Sequence, residues 1–328
     1  MSSRDDVPET TPPTRAGVVV VNHNTRDDLL GCLDSLTRAG ADHIVVVDSG
    51  SGDGSLAAVA GSHPETLRVG LPNVGFGRAA NAGVARLAQV TGGPCEAIVV
   101  ANADTRFSQG SVRALADYLA THPDVGAAGP KVVFPDGRIQ PSARSFPDIP
   151  TAVGHALFGL VRPGNRWTRR YRLTDWDHDS ERDVDWLSGC CVAIRHKAFD
   201  QVEGFDPAYF MFVEDVDLCW RMGQAGWRVV FAPVTQVQHA VGASVGRRRT
   251  RMVAEHARSL DRFFARRYHS GPVARTLIRM GLLGWALSVI AWSEVKGRTH
   301  GQAAWGAPHG PYGRGRQRAG GAGSHRPS

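Results

Sequence analysis

Short runs of β-branched residues alternate with stretches in which apolar residues recur every three or four positions. Gly17 to Val21 is the first such run, and it stops at Asn22-His23-Asn24-Thr25. Its unbroken apolar character predicts a strand buried on both faces. Arg26 to Arg38 carries Leu29, Leu30, Leu33 and Leu36 on one side, which predicts a helix. Ile44 to Val47 predicts a second strand, ending at Asp48. The Gly/Ser loop from Ser49 to Gly54 follows, with Ser55 placed to cap a helix. Leu67 to Val69 reads as a third strand. Asn73 to Gly83 then leads into a helix reaching about Gln89, and Ala97 to Ala101 reads as a fourth strand ending at Asn102-Ala103-Asp104.

The same patterns predict a helix over Ser111 to Leu119, a strand over Val132 to Phe134, and a turn at Pro135-Asp136-Gly137-Arg138. Pro141 to about Arg182 is irregular and rich in Arg, Trp and Pro. Asp185 to Ile194 reads as a strand and Glu214 to Gly223 as a helix. Strands follow at Trp227 to Ala232 and Thr235 to His239. Strands alternating with helices indicate an α/β fold with a mainly parallel sheet flanked by helices. Four strand ends carry Asn22, Asp48, Asn73 and Asp104. In open α/β sheets that edge is where ligands bind.

Charge divides the chain. From Arg247 onward 16 Lys/Arg face 3 Asp/Glu, a surplus of 13, while the whole chain carries only +7; residues 1–246 are therefore net negative. A basic C-terminal quarter on an acidic body suits an anionic surface. An acidic body with its polar residues at strand ends argues against nucleic acid as the partner. Arg247 to Tyr268 reads as a basic helix. Val273 to Val295 is apolar, interrupted by Arg275 and Arg279. Its uncharged stretch, Met280 to Ser293, is 14 residues. A span needs about 20, so the segment reads as an interfacial helix with Trp285 and Trp292 at headgroup depth, or else as a core helix packed on the body. Residues 1–14 and the Gly/Arg-rich 300–328 are expected to be disordered, leaving a catalytic domain over 15–246 and a basic helical membrane-associating region over 247–299. Five cysteines without a CxxC pair, and no apolar leader at the N-terminus, point to a reducing, cytoplasmic compartment.

Several residues suggest chemistry. Asp48 is placed to accept from a base N–H or a ribose hydroxyl. Gly75-Phe76-Gly77-Arg78-Ala79-Ala80 spells a dinucleotide fingerprint, but it follows the third strand instead of the first. Arg78 there fits a diphosphate. Asp104 could hold a divalent ion through hard oxygen, with His239 as a second ligand. Phe212-Val213-Glu214-Asp215-Val216-Asp217 sets three acids in apolar sequence. Asp215 is the candidate general base, Glu214 would orient it or the acceptor, and Asp217 is expected at the helix surface or as a cap.

Together these segments resemble family 2 glycosyltransferases of the GT-A fold. The match runs through Val20 to Asn24, Val46 to Ser55, Asn73 to Gly83, Ala101 to Asp104, Trp186 to Gly189, Gly204 to Asp206, Phe212 to Arg221 and His239 to Ser244. The resemblance implies a Rossmann-like sheet and inverting transfer from a nucleotide-diphosphate sugar. It implies donor contacts from Asn22, Asp48, Asn73, Gly77, Arg78, Asn102 and Asp104. It also implies Mg2+ or Mn2+ on Asp104 and His239, with Asp215 as the base. Asn102 stands where the family usually has the first Asp of its metal motif. Pro135 to Arg144, Tyr209-Phe210-Met211 and the Arg-rich C-terminal helix further resemble members that move L-rhamnose from dTDP-L-rhamnose to a polyprenyl-diphosphate-linked acceptor. Those members imply work at the inner face of the plasma membrane. A galactofuranose or hexose donor is the alternative.

Overall fold

A computed structural model describes residues 15–146, 148, 151, 162, 164–240, 249–268 and 271–299, with the side chains of 249 and 292–299 excepted. The expectations of disorder for 1–14 and 300–328, and of a headgroup position for Trp292, fall outside these residues. The first part of the chain runs β1 (Ala16–Asn22), α1 (Arg26–Leu36), β2 (His43–Ser49), α2 (Ser55–Ser62), β3 (Leu67–Leu71), α3 (Phe76–Val90), β4 (Ala97–Asn102), β5 (Thr105–Phe107) and α4 (Ser111–Thr121). Then come β6 (Val125–Val133), β7 (Ala143–Arg144), α5 (Arg166–Arg172), β8 (Arg182–Asp183), β9 (Trp186–Leu187), β10 (Cys191–Arg195) and α6 (His196–Gln201). The last elements are α7 (Glu214–Gln224), β11 (Arg228–His239), α8 (Arg249–Tyr268) and α9 (Pro272–Thr299).

Among the described residues the main sheet has the order β3-β2-β1-β4-β10-β6-β11-β5, with β8 alongside β11. The strands β3, β2, β1 and β4 are parallel. β10 runs antiparallel between β4 and β6, and β6 and β11 are again parallel to each other. The C-terminal ends of β1, β2, β4, β6 and β11 therefore share one edge with the N-terminal end of β10. Successive side chains of a strand face opposite sides. Thus Val18 and Val20 of β1 pack with Leu29 and Leu33 of α1 and Leu115 of α4. Val19 turns to the other side, with Val84 and Leu87 of α3. This two-sided burial explains why the strands read as continuous apolar runs.

Four local expectations change, the first being that the strand expected over Asp185 to Ile194 breaks at Ser188–Cys190 into β9 and β10. Helix α2 is not capped by Ser55. Gly54 holds the cap position at φ +79°, and the Asp53 carboxylate accepts from both the N–H and the hydroxyl of Ser55. β6 begins at Val125, seven residues before the apolar signal. Its start, Val125-Gly126-Ala127-Ala128-Gly129-Pro130, has little β-propensity. Small residues are needed there, because a Cβ on Gly126 or Gly129 would run into Trp227 or Leu187. The two strands expected over 227–239 are one, β11, whose register slips against β6 between Phe231 and Gln236.

The C-terminal helices are part of the body. Phe263 of α8 is fully buried and meets Phe146 and Trp220. α9 lies along α8, with Ala286 and Val289 buried against Val253. Trp285 faces inward onto His256 at 5.4 Å, not outward as expected of an interfacial tryptophan. On the opposite side of α9, Val273, Leu277, Met280, Leu283 and Leu287 are 59–75% exposed. Residues 272–291, with a mean hydropathy of 1.4, are long and apolar enough to cross a membrane by length and composition alone. One side of the helix is nevertheless occupied by α8.

Candidate active site

Three groups of polar side chains collect along the shared sheet edge. The first lies on the ends of β1 and β2. The Asn22 amide donates to Asp48 at 2.7 Å, and Asp48 also accepts from the backbone and hydroxyl of Ser51. Asn22 and Asp48 are both buried. They brace each other and fix the Ser49–Asp53 loop. His23 Nδ1 donates to the Ser49 carbonyl at 2.7 Å. Its Nε2 then accepts from Asn24 at 3.0 Å and Asn73 at 3.4 Å. Asn73 is thereby tied to the same loop. His23, Ser49 and Ser51 had no signal beyond lying in polar turns.

Arg78 and Gly77 open α3 where the chain leaves β3, and a Cβ on Gly77 would come 3.7 Å from Glu214 Cβ. Arg78 is exposed, and its Nε donates to the Pro207 carbonyl at 2.7 Å. Gly77 is buried, and a Cβ on it would come 2.9 Å from Phe205 Cβ, so its missing side chain serves packing. Just before it, Gly75 adopts φ +88° with its Cα against Phe210; an added Cβ would lie 1.9 Å from the Phe210 carbonyl oxygen. The Phe76 N–H donates to that same oxygen at 3.1 Å.

The second group joins β4 to β11. His239 Nε2 stands 3.1 Å from Asp104 Oδ1 and 3.2 Å from the Asn102 amide. The Ala240 N–H donates to the Asp104 carbonyl at 3.0 Å, locking the two strand ends together. Burial opposes charge on His239, but neighbouring Cys190 and Asp104 prevail and push its imidazole up to about 10. Burial raises the Asp104 carboxyl and the bond to His239 lowers it, the net being downward. One carboxylate oxygen, one imidazole and one carboxamide suit a hard or borderline divalent cation. Among the described residues no cluster of three or more His, Cys, Asp and Glu forms. Asp104, His239 and Asn102 could therefore hold such an ion only together with ligands from a substrate.

The third group begins α7. Phe212 and Val213 sit at φ +65° and +68°, a backbone state that is strained for a β-branched residue. The double left-handed step sends the chain into α7 and sets Glu214 and Asp215 at its first turn. Asp215 accepts from the Gly189 N–H at 2.9 Å and the Val216 N–H at 2.8 Å. Burial raises its carboxyl, while these bonds and nearby Arg144 pull the other way without cancelling the rise. Glu214 is buried and its Oε2 has no hydrogen-bond partner. Burial and the adjacent Asp215 charge push it up to about 8, so it holds its proton at neutral pH. Asp217 is fully buried, not at the surface or in a cap. It accepts from Arg221 at 2.7 Å, Arg266 at 2.9 Å and the Tyr209 hydroxyl at 3.2 Å.

The Ser188–Cys190 turn bridges the last two groups. The Cys190 carbonyl accepts from the Asn102 N–H at 3.0 Å, and the next residue back, Gly189, holds Asp215. A mixed sheet in the order β3-β2-β1-β4-β10-β6-β11-β5, flanked by helices and carrying polar strand ends along one edge, is the architecture of the GT-A class of fold. Residues 12–258 match the model of the family described as glycosyltransferase like family 2. The chain is 40% identical, over 77% of its length and 85% of the relative's, to N-acetylglucosaminyl-diphospho-decaprenol L-rhamnosyltransferase of Mycobacterium tuberculosis. It is similar in fold to the Pyrobaculum calidifontis mannosyltransferase PcManGT, solved with GDP-Man and Mn2+ (TM-score 0.50, 19% identity, 86% of this chain and 75% of that one). It is likewise similar to GalNAc-T7, solved with UDP, GalNAc and Mn2+ (TM-score 0.52, 14% identity, 90% of this chain and 59% of that one). The chain belongs to the family 2-like glycosyltransferases.

Proposed function

We propose that this glycosyltransferase moves L-rhamnose from dTDP-L-rhamnose to N-acetylglucosaminyl-diphospho-polyprenol with inversion at the anomeric carbon. The observation that carries the reading is the geometry of one edge. Asp104 and His239 converge there at 3.1 Å, and one turn, Ser188–Cys190, ties them to Asp215. The name of the Mycobacterium relative supports the acceptor and the sugar. The acceptor hydroxyl attacks the anomeric carbon and gives its proton to the Asp215 carboxylate. The carbon–oxygen bond to the diphosphate breaks, and the nucleoside diphosphate leaves with the electron pair. Glu214, kept neutral, spares Asp215 a second negative charge beside it, and the Gly189 and Val216 N–H groups orient Asp215. The nucleoside lies over the Asn22–Asp48–Asn73 edge. Bound Mg2+ or Mn2+ on Asp104, His239 and Asn102 would supply positive charge against the diphosphate.

A lipid-linked acceptor gives the C-terminal hairpin its role. The exposed stripe of α9 repeats at helical spacing, and neither Arg275 nor Arg279 lies on it. α8 alongside is strongly basic. An apolar face beside arginines suits an anionic membrane surface and supports a peripheral seat on its cytoplasmic side.

The test is transfer to a polyprenyl-diphosphate-linked N-acetylglucosamine across a panel of nucleotide sugars, with and without a divalent ion. Turnover with dTDP-L-rhamnose alone, dependent on the ion, is expected. Turnover with a galactofuranose or hexose donor instead would replace the proposed sugar. Asp215→Asn should lower kcat by about 100- to 10,000-fold while donor binding persists; unchanged turnover would remove Asp215 from its role.

A further inference from the structure

The segment between β6 and β7 ends beside the cation pair, and the reading above gives it no part. Its turn doubles the chain back on itself. The Phe134 N–H donates to the Arg138 carbonyl at 2.8 Å and the Gly137 N–H to the Phe134 carbonyl at 2.9 Å, with Gly137 at φ +81°. Ile139 bridges Val133 in antiparallel register, and the Gln140 N–H donates to the Val132 carbonyl at 2.9 Å. Val133 pairs with Gln238 of β11. The hairpin therefore delivers the Gln140 side chain to the ring of the next residue, His239.

Gln140 presents its amide edge to His239 Nδ1, with Oε1 at 3.1 Å and Nε2 at 3.0 Å. The other ring nitrogen faces Asp104 and Asn102. An imidazole can ligate a cation through Nε2 only when Nε2 carries a lone pair and Nδ1 carries the hydrogen. That hydrogen then needs an acceptor, and Gln140 Oε1 is within reach of it. We propose that Gln140 is a positioning residue for the cation: by accepting from Nδ1–H it orients the His239 ring and leaves Nε2 as a ligand. Groups that hold a ligating histidine by its far nitrogen typically change metal affinity 10- to 100-fold when removed.

The inference rests on Asp104 and His239 being the cation ligands, and the experiment separates the two claims. Mn2+ binding to the full-length protein is measured by electron paramagnetic resonance in the presence of dTDP. Wild type, His239→Ala, Gln140→Leu and Gln140→Glu are compared, with melting curves to show that each is folded. His239→Ala should lose binding. Gln140→Leu should bind Mn2+ about 10-fold or more weakly. Gln140→Glu, which can only accept, should match or exceed wild type. If His239→Ala binds like wild type, the ligand assignment fails and the inference falls with it. If His239→Ala loses binding but Gln140→Leu does not, or if Gln140→Glu is as weak as Gln140→Leu, Gln140 has no positioning role although the ligands stand.

Discussion

Replacing Glu214 with glutamine should make the protein more stable, and increasingly so as pH rises. Glu214 is buried and one of its oxygens has no partner; its carboxyl is pushed up from 4.5 to about 8. The folded state therefore holds a proton that the unfolded chain releases above pH 4.5. Below that value the group is protonated in both states and contributes nothing. Between 4.5 and about 8 the unfolded state gains an advantage of about 1.4 kcal/mol per pH unit, and above 8 it stays constant. The penalty is thus about 2 kcal/mol at pH 6 and about 5 kcal/mol at pH 8.5 as an upper bound. Glutamine has the same shape and does not titrate. The gap between Glu214→Gln and wild type should widen by about 2–3 kcal/mol over that interval, or on the order of 5–10 °C in Tm for a domain of this size. Thermal melts at pH 6.0 and 8.5 read this directly. Parallel curves for the two proteins would mean that Glu214 is ionised in the folded state, and the neutral partner assigned to Asp215 would not exist.

Asp217→Ala should destabilise the fold by about 3–5 kcal/mol in urea denaturation, because Arg221 and Arg266 lose the buried carboxylate between them; a loss under 1 kcal/mol would make the pair of bridges incidental. Gly75→Ala places a side chain against the Phe210 carbonyl at a backbone angle alanine resists. Circular dichroism should show a protein that melts far below wild type or does not fold, and a wild-type melt would refute the close approach. Changing Leu277 and Leu283 together to glutamine should weaken co-sedimentation with anionic liposomes at least about tenfold, from the loss of two exposed leucine side chains that would enter the lipid, and leave donor binding unchanged. Equal pelleting of variant and wild type would show that the α9 face does not meet lipid.

The parallel half of the fold was legible because its strands are buried on both faces and end in polar turns. Asn22, Asp48 and Asp104 lie at those ends as the pattern suggests, and α7 begins at Glu214 as expected. Packing against distant residues was not legible. Gly126 and Gly129 look like loop residues until Trp227 and Leu187 fill the space above them. Asp217 reads as a surface acid because its partner Arg266 is 49 positions away. Gln140 follows a turn whose pattern carries no chemistry of its own, and its nearness to His239 comes from the register of β6 against β11. The arginines of α8 read as a basic face, yet Arg266 ties the helix to buried Asp217 beside the anchors Phe263 and Ser259.

The seating of α8 bears on how this enzyme can be dissected. Ser259 donates to the Met211 carbonyl at 3.0 Å, His256 stacks near Phe212 at 5.0 Å, and Arg266 reaches Asp217. The helix thus grips the loop just ahead of Glu214 and Asp215 on one side and their own helix on the other. A chain cut at residue 246 would not be a soluble catalytic core freed of its anchor. It would be a donor-binding half whose acid has lost its splint, and the shortfall in turnover would be charged to the missing membrane when the fault was mechanical.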